Sequence, residues 1–270
     1  MSDVNPYQAP QSPFDASLAA APVAAEGNFI PYGRIAPAGH GWQWIKVGFD
    51  LFQRAPGMWI GMLVVYFVVA VVTTVIPVVG QLAQPILNSV LLGGVVLGCK
   101  ALDEGKELRL GHLFAGFQRH AGPLALLGLL NLAGMVIIAA VCAGLAFAAF
   151  MPEMLSLIHG TQEFDGIDTF AISMAAIGLL GVSLMIPLGM AAWFAPQLVV
   201  LHGQCPLEAM KQSLVAGFKN FLPSLVFGVA SLALLLVAVI PLGLGLLVLV
   251  PTMLAANYAA GRDIFAPHGA

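Results

Sequence analysis

Long apolar runs alternate along this chain with short segments that hold nearly every charge. A helix crossing the hydrocarbon core of a bilayer needs about 20 residues, within a range of roughly 17 to 25. Runs at 58–76, 82–99, 124–150, 170–201, 223–240 and 242–258 meet that need. No charge lies between Arg54 and Lys100, and Pro77, Gly80 and Pro85 split that interval into two spans. Pro187 and Pro196 are expected to kink the long fourth span, and a turn at Pro241 to Gly245 joins the last two. The pattern predicts an all-α polytopic membrane helix bundle of six transmembrane helices.

The segments before the first, third and fifth spans share a second pattern. Gln43, Lys46, Asp50, Gln53 and Arg54 take one helical face, opposite Trp44, Ile45, Phe49 and Phe52. Arg109, His112, Arg119 and His120 likewise oppose Leu110, Leu113, Phe114 and Phe117, and Glu208, Lys211, Gln212 and Lys219 oppose Leu207, Met210, Leu214 and Phe218. Each segment reads as a cytoplasmic interfacial elbow helix, its apolar face in the headgroup boundary and its basic face toward water. Phe52-Gln53-Arg54 precedes Pro56, Phe117-Gln118-Arg119 precedes Pro123, and Phe218-Lys219 precedes Pro223. Pro suits a helix's first turn, where its missing N–H costs nothing. Ile76-Pro77, Ile186-Pro187 and Ile240-Pro241 echo one another after the elbows, although the middle pair falls inside a span. Together these echoes predict a threefold hairpin repeat.

Composition agrees: 60% of residues are hydrophobic, 9% are charged and the mean hydropathy is +0.94. A soluble domain carries about a quarter charged residues. All ten Lys and Arg fall on one side of the predicted spans, while the loop 151–169 holds Glu153, Glu163, Asp165 and Asp168 and no basic residue. Basic loops stay in the cytoplasm, so both termini are expected inside. Residues 1–35, rich in Pro, Ala, Ser and Gln, read as a disordered cytoplasmic tail and not a cleaved leader, and 36–265 as a single membrane domain. A net charge of −3 points to no nucleic-acid partner.

Little in the chain suggests catalysis. The predicted spans have no Asp, Glu, Lys or Arg in their interiors, which argues against a proton relay of buried carboxylates. Asn88, Asn131, Gln197 and Asn257 are read as interhelical hydrogen-bonding groups before substrate contacts. His112 and His120 stand too far apart for an i, i+4 metal pair, and His202 reads as interfacial. Gly57/Gly61 and Gly94/Gly98 match the small-xxx-small pattern of close helix approach. Asp103-Glu104-Gly105 lacks the alternating oxygen ligands of a calcium loop. Cys99, Cys142 and Cys205 are scattered fillers with no disulfide, zinc or redox spacing. No catalytic, cofactor-binding or metal residue is assigned, and no cofactor is expected.

The run Gly41-Trp42-Gln43-Trp44-Ile45-Lys46 through Phe52-Gln53-Arg54-Ala55-Pro56 resembles the opening of a family of uncharacterised six-span proteobacterial inner-membrane proteins. Asn5-Pro6-Tyr7-Gln8-Ala9-Pro10 is similar to a leader on many such proteins, and the layout is distantly similar to the membrane domain of some glycerophosphodiester phosphodiesterases. The resemblance implies a fold and no activity. The expected function is a non-catalytic component that organises lipids or membrane protein partners, with anionic lipid headgroups drawn to the basic elbows. The alternative is a transporter or lipid permease for a small or amphipathic substrate, which the repeat and the proline-broken helices would suit. A membrane enzyme is third.

Overall fold

The computed structural model describes residues 29–159 and 167–266, and every regular element among them is helical. An amphipathic helix α1 (His40–Arg54) leads into a first hairpin, α2 (Pro56–Val75) and α3 (Val79–Asp103). A 3-10 turn (Leu110–Phe114) and the short α4 (Ala115–Arg119) precede α5 (Ala121–Ile158), which pairs with α6 (Ile167–Trp193). After α7 (Ala195–His202) and α8 (Pro206–Lys219) comes the last hairpin, α9 (Phe221–Val239) and α10 (Leu246–Phe265). The chain is an all-α polytopic membrane bundle. Five segments have the length and apolarity to cross a bilayer: Pro56–Val75, Val79–Asp103, Ala121–Pro152, Phe170–His202 and Phe221–Val239.

The expected sixth span, 242–258, overlaps α10, which begins only at Leu246 and continues to Phe265. Its first half is apolar and partly exposed, whereas Ala255, Ala256, Tyr258 and Ile264 in its second half are buried in protein. The expected acidic loop is shorter than 151–169, because α5 stays helical to Ile158 and α6 begins at Ile167. Glu163 and Asp165 lie outside the described residues.

The break in the long fourth segment has a specific cause. Pro187 sits inside α6, and the chain bends at Phe194, two residues before Pro196. There the Ser213 hydroxyl of α8 donates to Met190 O at 2.6 Å and accepts from Phe194 N–H at 3.0 Å. Met190 and Phe194 are i and i+4, so the serine is inserted into the helical ladder and satisfies both groups it separates.

The elbows depart from the expected interfacial helices, each in its own way. On α1 the buried residues are Gly41, Trp44, Ile45, Gly48, Leu51 and Phe52, and they face α9 and α10 instead of lipid. A Cβ on Gly48 would lie 2.5 Å from Thr252 O and 2.6 Å from Ala256 N, so only glycine admits this backbone contact. The second elbow is no single helix: it is the 3-10 turn and α4, with Leu113 buried and Leu110, Phe114 and Phe117 exposed. On α8 Lys211 and Lys219 stay exposed as expected, and a third face, which takes Gln212 with it, turns inward. Ala209, Gln212, Ser213, Ala216 and Gly217 pack inward, while Leu207 and Phe218 are 67% and 60% exposed. Small residues let α8 approach its neighbours closely, and the large apolar ones are left for the bilayer.

The joints themselves match. Ala55 (φ −152°, ψ 58°), His120 (φ −136°, ψ 26°) and Asn220 (φ −107°, ψ 34°) each interrupt the helix for one residue directly after a basic one. Each joint's carbonyl accepts from the residue four ahead: Trp59 N at 3.1 Å, Leu124 N at 3.0 Å and Ser224 N at 3.0 Å. One backbone device thus opens all three hairpins.

Candidate functional site

The segments carrying Lys and Arg gather at one end of the bundle, where α2, α5 and α9 begin and α3, α7 and α10 finish. A strap of residues 29–39 crosses this end and ties it together. Ile30 N donates to Phe265 O at 2.8 Å and Arg34 N to Ile264 O at 2.9 Å. Gly33, at φ +64°, turns the strap against Ile264 in a backbone region that favours glycine. Ordered chain therefore starts before the expected boundary at 35, while residues 1–28 of the expected tail lie outside the described residues.

Asp263 anchors the strap. Its Oδ1 pairs with the Arg34 guanidinium, and its Oδ2 meets His40 Nδ1 at 2.7 Å and Trp44 Nε1–H at 2.8 Å. Burial pushes the Asp263 carboxyl up, but the hydrogen bonds of His40 and Trp44 and the charges of His40 and Arg34 outweigh it. The carboxyl stays below its ordinary range. Asn220, fully buried, accepts from Ala36 N at 2.7 Å and donates to Arg34 O and Ala216 O, both at 2.9 Å. The Tyr32 hydroxyl donates to Glu208 at 2.9 Å, the largest of the effects that lower that carboxyl. Across the end, Arg262 pairs with Asp103, which also accepts from Tyr258 at 3.3 Å.

Beside this lattice lie two open grooves. One, of about 610 Å³, runs between the end of α3 and the second elbow, and Lys100, Lys106, Arg109 and Arg119 line it with His112, Gln118 and the carboxylate of Glu104. The second, of about 730 Å³, shares Lys106 and Arg109 and reaches Arg54 and Leu108.

The polar residues picked out at membrane depth hold helices together. Asn88 accepts from Tyr66 at 2.5 Å, Asn257 accepts from Trp193 Nε1 at 2.5 Å, and Gln197 donates to Asn257 O at 2.8 Å. Asn131 is half-buried. Gly94 and Gly98 do mark a close approach, but the partner is the loop and 3-10 turn around Leu108, His112 and Leu113, not another long helix. Nothing lies within 4 Å of a Cβ built on Gly57. Among the described residues, no three His, Cys, Asp or Glu side chains come together as metal ligands would. Sequence reading missed Asp263, His40, Tyr32 and Asn220. Their partners stand some 180 to 230 positions away, and no local spacing signals such a contact.

The chain is 28% identical over 224 residues to a probable inner membrane protein of Burkholderia thailandensis, a match covering 81% of this chain and 80% of that one. Neither a protein-family profile nor a solved structure matches, and the comparisons offer no counterpart to the phosphodiesterase resemblance.

Proposed function

We propose that this chain is a non-catalytic integral protein of the bacterial inner membrane, crossing six times with both termini in the cytoplasm, whose basic end organises anionic lipids and membrane protein partners. The observation that carries the reading is the basic end itself. Ten Lys and Arg residues gather where three hairpins open, on a lattice of long-range hydrogen bonds that holds the surface in one shape. The inner-membrane name of the Burkholderia relative supports the location. A sixth crossing by α10 is supported by the turn at 240–245, which returns the chain alongside α9.

A permease would need a path through the bundle. Between α2, α3 and α10, the space ringed by Trp59, Met62, Leu63, Tyr66, Val95, Leu113, Pro251 and Leu254 is about 10 Å³, scarcely the room for one water. These three helices leave no path between them, while a space of about 180 Å³ opens beside Gln197 at the basic end.

Reporter fusions after Asp168 and at the C-terminus test the topology; a cytoplasmic signal after Asp168 overturns it. The role is tested by the lipid that co-purifies with the protein. Enrichment of anionic lipid over the bulk membrane is expected, and a composition equal to the bulk refutes the organising role.

A further inference from the structure

We propose that the groove between the end of α3 and the second elbow is a binding site for the phosphate of an anionic lipid headgroup. The proposal rests on the membrane-organising reading and gives it a location. Four cations line the groove with the carboxylate of Glu104, and a second carboxylate, Glu107, stands 3.5 Å from Arg109 outside that lining. Glu104 also serves as a clip: it lies 2.6 Å from Lys106 Nζ and 3.9 Å from Lys100 Nζ, and so holds two ammonium groups near each other on side chains 69% and 49% exposed.

His112 and Gln118 line the groove as well. The His112 Nδ1 is turned to the Arg109 backbone, 3.0 Å from its N and 3.2 Å from its O, which fixes the ring against the elbow. Ammonium, guanidinium and amide groups are donors a phosphate takes.

The setting selects a lipid over a free anion. Gly111, His112, Ala115, Gln118 and Arg119 line the groove, while Leu110, Phe114 and Phe117, each one position away, form an exposed apolar stripe on the same elbow. Leu97 of the membrane-crossing α3 lines the groove as well. An acyl chain lying along that stripe therefore brings its own phosphate to the cations. The first elbow lacks this arrangement because α1 buries its apolar face in protein, and α8 carries two basic residues, Lys211 and Lys219, against the four that line this groove.

Native mass spectrometry of the full chain in detergent, titrated separately with phosphatidylglycerol, phosphatidylcholine and inorganic phosphate, tests the assignment. Preferential retention of phosphatidylglycerol is expected. Lys106→Ala with Arg109→Ala is expected to weaken it about thirtyfold, since each basic residue near the surface contributes about fivefold. Glu104→Gln should strengthen retention, a gain that loss of folding cannot mimic. Lys46→Ala with Lys211→Ala, on the other two elbows, should leave it unchanged. Equal losses in the two double variants overturn the site while leaving a general attraction for anionic lipid intact. No preference for phosphatidylglycerol in the wild type overturns both. Displacement of the lipid by millimolar inorganic phosphate makes the groove a free-phosphate site and overturns the lipid assignment.

Discussion

Replacing Asp263 by Asn should loosen the strap without disturbing the spans. The carboxylate makes three contacts, to Arg34, His40 and Trp44, at side chains roughly 19% and 18% exposed for the Arg34–Asp263 pair. Hydrogen bonds to a charged group contribute about 1.5–3 kcal/mol each when dry, and partial exposure reduces that. The amide of an Asn still accepts one bond, and Arg34 Nε keeps its 2.5 Å bond to Asp263 O. A net loss of about 2–3 kcal/mol in strap anchorage follows. Hydrogen exchange reads it directly, because Ile30 and Arg34 donate their amides to Phe265 O and Ile264 O. Those two amides should exchange about 30- to 150-fold faster, with α5 unchanged. A double-mutant cycle with Arg34→Gln should give a coupling of about 1–3 kcal/mol. Unaltered protection at Ile30 and Arg34 would refute the reasoning.

Acid should act on the same anchor: a carboxyl held below its ordinary range stabilises the fold above its unfolded value of about 3.9 and loses that contribution as pH falls through the folded value. The protection factors of the strap amides should therefore fall as the pH drops below about 4, and protection factors unchanged there would contradict this. Asn220→Ala strands Ala36 N–H and Arg34 O, while Ala216 O keeps the backbone N–H of residue 220, so solubilised protein should lose about 2–4 kcal/mol in denaturant titration. Ser213→Ala leaves Met190 O and Phe194 N–H without their shared partner, and a loss of about 2 kcal/mol is expected unless α6 and α7 straighten, which spin labels on either side of Phe194 would report. Gly48→Ala should lower the melting temperature through a clash costing about 1–3 kcal/mol, whereas Gly57→Ala, with open space around it, should be neutral or slightly stabilising.

What could be read from the sequence was whatever depends on the length and polarity of continuous segments. The spans at 58–76, 82–99 and 223–240 differ from α2, α3 and α9 by a few residues at each end, because a run of apolar side chains and the helix that solvates its own backbone in lipid are nearly the same object. The turn at Pro241 to Gly245 follows for the same reason. Faces were harder. Periodicity locates the apolar side of an amphipathic helix but not what covers it, and protein covers α1 whereas the large apolar side chains of α8 turn outward. The strap was invisible, since its order comes from Asp263, Asn220 and Glu208, far along the chain. The groove was legible in part: its cations were noted at the second elbow, but Lys100 and Glu104 join them only through the return of the chain after α3.

The pairing of α1 with α10 also sets an order of assembly. The Gly48 seat on Thr252 and Ala256 joins positions about 200 residues apart, and at a synthesis rate of roughly 5–20 residues per second the second half of that contact appears some 10–40 s after the first. Throughout that interval Trp44, Ile45, Leu51 and Phe52 have no protein to cover them. The membrane boundary is the nearest apolar surface, and an amphipathic helix with a basic face rests there readily. The interfacial position that α1 does not hold in the finished bundle is thus its waiting place during synthesis. A chain truncated before α10 should leave that helix on the lipid surface for good.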